Sequence, residues 1–222
     1  RVLSGFFIAV AVFLMGHIVP GLLRDRLVKW VGYRSYVVAF SVLSIVLFGW
    51  VIHEVQHAES FLLWDHQPWQ PQLLVVVMLP VSILWASAIL QPCPLSIGRR
   101  SGFDPARLGI NQFCRHPLLL GTAVWGFGHM IANGDLVAIL FFGGSGVFAV
   151  IGFWRMEKIR LRELDPDQRQ AILNGTRRFA PAGLLRGALG GRDILVGLVI
   201  YVVILAGHAH IIGVDPLAMA GW

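Results

Sequence analysis

The sequence predicts an all-α, polytopic transmembrane helix bundle of about six spans with both termini outside, and three observations predict it. The 222 residues are 56% hydrophobic and 14% charged, with a mean hydropathy of +0.71, outside the range of an ordinary soluble domain. Six long apolar stretches follow one another, with histidines inside several of them. Lys and Arg fall almost wholly into the odd-numbered connections between those stretches.

The expected spans are 2–23, 35–53, 73–90, 117–132, 136–154 and 194–212, each near the roughly 20 residues that cross roughly 30 Å of hydrocarbon. Each must be helical, because an open strand at that depth leaves its amides and carbonyls unpaired in lipid. Arg1 before the first apolar run resembles the start of a signal peptide, but basic residues follow and no small-residue cleavage site separates them, so the segment reads as a retained helix.

Orientation comes from the connections. The first holds Arg24, Arg26, Lys29 and Arg34, the third Arg99, Arg100, Arg107 and Arg115, and the fifth nine more from Arg155 to Arg192. The even connections and the C-terminal tail hold none, so the odd connections are expected in the cytoplasm. The net charge of +6 is therefore topogenic, which argues against a nucleic-acid partner and leaves anionic lipid or acidic ligand groups at the inner face. Cys93 and Cys114 fall in the third connection, where thiols stay reduced, and without Cys-x-x-Cys-His a covalent c-type haem is excluded.

The chain reads as a single domain over residues 1–222 with a cytoplasmic amphipathic segment at about 155–192. Arg155, Glu157, Lys158, Arg160, Arg162 and Glu163 give its first part a charged face that continues the fifth span or lies along the headgroups. Asn174-Gly175 is expected to end it with a left-handed cap. Gly143-Gly144-Ser145-Gly146 offers close approach to a neighbouring helix or a flat ligand.

His17, His129 and His208 sit inside spans, where polar side chains are costly and are kept for a bound group or an internal partner. One turn away, His17 has Gly21, and His129 has Gly126 and Trp125, whereas His208 has only bulky Ile and Leu neighbours. A porphyrin needs a flat slot beside its axial ligand, so His17 and His129 are the expected metal ligands, of haem b iron. Arg24, Arg26 and Arg115 are candidate partners for the propionates. Counted at 1.5 Å per residue, His17 lies about 10 Å and His129 about 18 Å below the cytoplasmic boundary, which leaves His208 as a candidate to replace one of them.

Two further patterns carry chemistry. His53-Glu54-Val55-Gln56-His57 matches the His-Glu-x-x-His zinc signature, with Glu59, Asp65 or His66 as a third ligand. Arg115-His116-Pro117 opens the fourth span with Pro at the first helical position, where free amides and Arg115 can hold a phosphate or carboxylate.

Arg115-His116-Pro117, Gly121, Trp125, His129, Asn133-Gly134-Asp135 and Phe142-Gly143 resemble the core motif of the NnrU family of membrane proteins. The likeness extends to His17, Pro20, Leu23-Arg24, Gly32, Tyr36, Leu63-Trp64 and Trp69. That family includes 15-cis-zeta-carotene isomerase. In that branch the resemblance implies haem b ligated at His17 and His129, with His116 and His57 as further histidines of the pattern. Ferrous iron there assists a cis-to-trans change of a lipophilic polyene without net redox. Bacterial members, in the inner membrane, are linked by name to nitric oxide metabolism and denitrification.

The same Arg-His-Pro start resembles membrane methyltransferases of the isoprenylcysteine carboxyl methyltransferase type. There the motif and a later acidic segment bind S-adenosylmethionine. Arg155, Glu157, Arg162, Glu163, Gly175 and Phe179 stand where that segment would be, although the paired tyrosines are absent. The preferred reading is a haem b protein with isomerase activity on a polyene. Methyl transfer is the enzymatic rival, and a non-enzymatic haem sensor or assembly factor is the third reading.

Overall fold

In the computed structural model, residues 3–222 are described; Arg1 and Val2, where the first span was expected to begin, lie outside the described residues. The chain is helical almost throughout, and a single Leu62–Asp135 bridge is the extent of β pairing among the described residues. The helices are α1 (Ser4–Leu22), α2 (Arg24–Val31), α3 (Tyr33–His57), α4 (Trp69–Leu90), α5 (Pro117–Asn133), α6 (Leu136–Ala138), α7 (Gly144–Arg162), α8 (Pro166–Gly175), α9 (Ala182–Leu185), α10 (Gly191–Ile212) and α11 (Pro216–Ala220). A 3₁₀ turn at Gly109–Gln112 and a π turn at Ile139–Gly143 interrupt the pattern.

Five segments are long and apolar enough to cross a membrane: Ser4–Leu22, Tyr33–His57, Trp69–Leu90, Leu136–Arg162 and Gly191–Ile212. The fourth expected span, α5, is apolar but has 17 residues, about 25 Å at 1.5 Å per residue and short of about 30 Å of hydrocarbon. The protein is an integral membrane protein. Exposed Phe7, Ile8, Val38, Ile45, Val76, Leu195 and Val203 along these helices are side chains for lipid contact.

The chain divides into two compact units, Arg1–Trp64 with Asp135–Ala138, and Asp65–Gly134 with Ile139–Trp222. In the first, α1 packs along α3. Ser60 Oγ donates to Asp135 Oδ1 at 2.7 Å and accepts from Val137 N at 3.0 Å, which ties the loop after α3 to α6. In the second, α5 packs between α4 and α7, and α10 lies against α4. Lipid tails give helices no hydrophobic reason to associate, so close approach and hydrogen bonds must do it. A Cβ at Gly197 would come within 2.6 Å of Ile83 Cα, and Tyr201 Oη donates to Val75 O at 3.1 Å.

At the basic end of this unit, Cys93, Ile110, Phe113, Cys114 and Ala188 form a core under the loops. Gln91 pins it. Its Nε2 donates to Asp193 Oδ2 at 2.6 Å and Ala188 O at 3.2 Å, while its Oε1 accepts from Ile110 N at 2.7 Å. One side chain thus holds the end of α4, the 3₁₀ turn and the start of α10 together.

Two local expectations need correction. The charged segment continues the fifth span, one of its two expected placements, but only to Arg162, where α7 ends; α8 begins anew where the Asp165 carboxylate caps Gln168 N at 2.8 Å ahead of Pro166. Gly175 is not a left-handed cap. Thr176 ends α8 in an extended conformation, and Gly175 is small because Leu108 Cδ2 stands 2.8 Å from where its Cβ would be. A left-handed glycine does end α5, at Gly134 with φ of 70°.

Candidate functional site

His129 lies three turns into α5, in the second unit. Its Nδ1 is 2.8 Å from Trp125 O, one turn back, so that nitrogen is the N–H donor and Nε2 carries the lone pair. The ring stacks on Phe142 with centroids 4.9 Å apart and planes at 28°, and Trp125 lies beside both at 5.2 Å. Phe142 belongs to the π turn, whose extra residue re-aims the ring; such turns occur frequently at functional sites. His208, on α10 of the same unit, bonds Val214 O through Nδ1 at 2.7 Å.

The slot expected beside His129 is filled. A Cβ at Gly126 would stand 2.6 Å from Phe142 O and 2.8 Å from Gly146 N, so this glycine lets two backbones touch. Gly143 and Gly146 likewise receive Met130 Sδ and the Phe127 ring. Helix packing, rather than room for a flat ligand, is what these glycines supply.

His17, in the first unit, stands in a ladder of rings. Phe13 is 4.2 Å away, Phe40 is 5.4 Å away edge-on, and Tyr36 stacks on Phe40 at 5.9 Å. Its Nδ1 is 2.7 Å from Phe13 O, the same i−4 lock as at His129. Nothing lies within 4 Å of a Cβ built on Gly21, so space is open one turn away. Arg24 and Arg26 are exposed at the start of α2. Both imidazoles present Nε2 as the nitrogen a haem iron takes, but only His17 has open space one turn away.

Arg115 and His116 build a different site at the basic end of the second unit. Arg115 is buried, and its guanidinium is committed: Nε to Thr176 Oγ1 at 2.7 Å, Nη1 to Glu157 Oε1 at 3.2 Å, and Nη2 to Leu173 O and Thr176 O at 3.2 and 3.1 Å. Arg178 Nη2 reaches Glu157 Oε1 at 3.0 Å while its guanidinium covers the Trp154 ring at 4.8 Å. His116 is fully buried against Phe153. Its Nε2 is 3.7 Å from Glu157 Oε2, close enough for charge attraction but too long for a hydrogen bond, and neither ring nitrogen has a hydrogen-bond partner.

Burial drives His116 down to about 4, against the opposing pull of Glu157, so its imidazole is neutral at physiological pH. Burial likewise pushes the Cys93 and Cys114 thiols up to about 12, and both are free and unreactive as thiols. Pro117 opens α5 as the sequence predicts, but the turn before it is packed with protein groups. Thr176 and Arg178, central to this cluster, had no local signature in the sequence, since their partners lie 61 and 21 residues away.

The His-Glu-x-x-His stretch closes α3. His53 and His57 rings are 4.1 Å apart, but Glu54 accepts from Trp50 Nε1, and His66 bonds Ala132 O. Among the described residues no group of three or more His, Cys, Asp or Glu side chains is placed to hold a metal ion.

The family profile described as NnrU protein matches residues 5–216. The chain belongs to the NnrU family. Searches of curated proteins and of solved structures find no match. Within this NnrU chain the matched region takes in both histidine ladders and the Arg115–Glu157 cluster.

Proposed function

We propose that this NnrU protein binds haem b in a bacterial inner membrane and acts as a cis–trans isomerase of a lipophilic polyene. The observation that carries the reading is the shared lock of His17 and His129: each Nδ1 donates to the carbonyl one turn back in its own helix, which leaves Nε2 as the nitrogen that can face an iron. His129 supplies one nitrogen. The family likeness implies His17 as the other ligand, and His208, on α10 of the same unit as His129, is the alternative.

When bound, haem supplies an iron centre that assists double-bond rotation without net electron transfer. The chain's own residues hold and shield it. Phe142 and Trp125 fix the His129 ring from its sides, and Phe13 and Phe40 do so for His17. Arg24 and Arg26 are exposed and are the candidates to meet propionates, whereas Arg115 spends its donors inside the protein.

An optical spectrum of the purified protein tests this. A Soret band is expected after expression with adequate haem supply, and its absence overturns the reading. His129→Ala removes the band, and His17→Ala against His208→Ala identifies the second ligand. Haem bound without turnover of any polyene favours a sensor or assembly role, including one in nitric oxide metabolism.

One observation favours a second reading. Glu157, in the acidic segment of the methyltransferase likeness, lies 3.2 Å from Arg115 and 3.7 Å from His116, so the structure brings that segment to the Arg-His-Pro turn. Calorimetric titration of the wild-type protein with S-adenosylmethionine decides it: saturable heat supports methyl transfer, and no heat removes it.

A further inference from the structure

We propose that the groove between the loop after α4 and the end of α7 binds a phosphate group at the membrane surface. The groove is open to solvent and lined by Pro94, Arg100, Ser101, Arg160, Glu163 and Leu164. Two guanidiniums share one carboxylate in it. Glu163 Oε2 takes Arg100 Nη1 at 3.3 Å and Arg160 Nη1 at 3.1 Å. Arg160 Nε is buried without a hydrogen-bond partner, and Arg100 has no further partner among the described residues. A buried guanidinium donor left empty is costly, and the forked donors suit the oxygens of a phosphate.

Position narrows the ligand. Exposed Trp154 marks the interfacial belt on α7, and Arg160 follows six residues later, about 9 Å along the helix and at headgroup level. This end of the bundle carries the basic connections, and the leaflet expected there is anionic. The Glu163 side chain is 51% exposed, so it can swing into solvent while the two arginines it holds turn to a phosphate. A lipid headgroup and free phosphate share this chemistry.

The full-length protein in mixed micelles of phosphatidylglycerol or phosphatidylcholine, read by native mass spectrometry, tests the site. Phosphatidylglycerol should be retained over phosphatidylcholine, and Arg100→Gln/Arg160→Gln should cut retention about tenfold or more. Glu163→Gln should raise it by removing the competing carboxylate. Displacement of the lipid by millimolar inorganic phosphate assigns the site to free phosphate, and resistance assigns it to the headgroup. Equal retention of both lipids, weaker retention in Glu163→Gln, or an equal loss in exposed Arg192→Gln overturns the proposal. Should the double variant fail to fold, half-exposed Arg100→Gln alone must show the loss.

Discussion

Arg115 and Glu157 form an ion pair of 3.2 Å with side chains only 10% and 8% exposed, and they join the start of α5 to α7 across 42 residues of chain. Both charges have left water, so breaking the pair is worse than never having made it. Glu157→Gln leaves the Arg115 guanidinium buried beside Arg178 and is expected to cost about 3–5 kcal/mol. Arg178 is 58% exposed, and Arg178→Gln should cost far less. Thermal unfolding in detergent followed by size-exclusion recovery checks the ranking; equal losses would mean that the pair is not the anchor.

His116 gives the same cluster a pH dependence with a definite sign. Burial holds its folded value at about 4, below the ordinary value of 6.5. The unfolded chain therefore binds the proton more readily between those values, and stability falls as pH drops through 6.5 toward 4. From pH 7 to pH 5 the loss should be about 2 kcal/mol. His116→Gln should flatten that part of the profile while leaving the Arg115 and Glu157 contacts in place. An unchanged slope in the variant would assign the acid sensitivity to other groups.

The elements were largely legible in the sequence because lipid imposes a length and a polarity on each span. Helix ends were less so. α3 extends from Tyr33 to His57 and α7 to Arg162, because backbone bonds propagate until the chain turns extended, at Ala58 after α3 and at Asp165, before Pro166, after α7. Arg115 read as a hand for an anion, whereas the structure turns it inward to Glu157 and Thr176, partners too distant in sequence to leave a periodic trace. The Gly126 slot failed for a related reason: a small residue permits close approach, but only the fold decides whether a ligand or Gly146 takes the space.

Gly126 and Gly21 therefore respond in opposite ways to an added methyl group. Gly126→Ala would force its Cβ against Phe142 O and Gly146 N, both backbone atoms that can yield only if α5 and the start of α7 move apart. A destabilisation of about 1–3 kcal/mol is expected, above the small gain alanine brings to a helix interior. Gly21→Ala meets nothing within 4 Å and should be neutral or slightly stabilising. Apparent melting temperatures of the two variants in one detergent check the contrast, and a neutral Gly126→Ala would show that these backbones are not in contact.

Phe142 separates the role of the imidazole from that of its surroundings. The Nδ1 bond to Trp125 O lies within α5, so Phe142→Ala leaves the Nε2 lone pair available while removing the stacked ring. An aromatic pair contributes about 0.5–1.5 kcal/mol beyond its buried area, which corresponds to roughly twofold to tenfold in a dissociation rate. In the haem reading, Phe142→Ala should retain the Soret band and release haem to apomyoglobin faster by about that factor. His129→Ala should have no band to lose. If Phe142→Ala abolishes binding with the helical content intact, the ring rather than the imidazole anchors the group, and ligation through His129 falls.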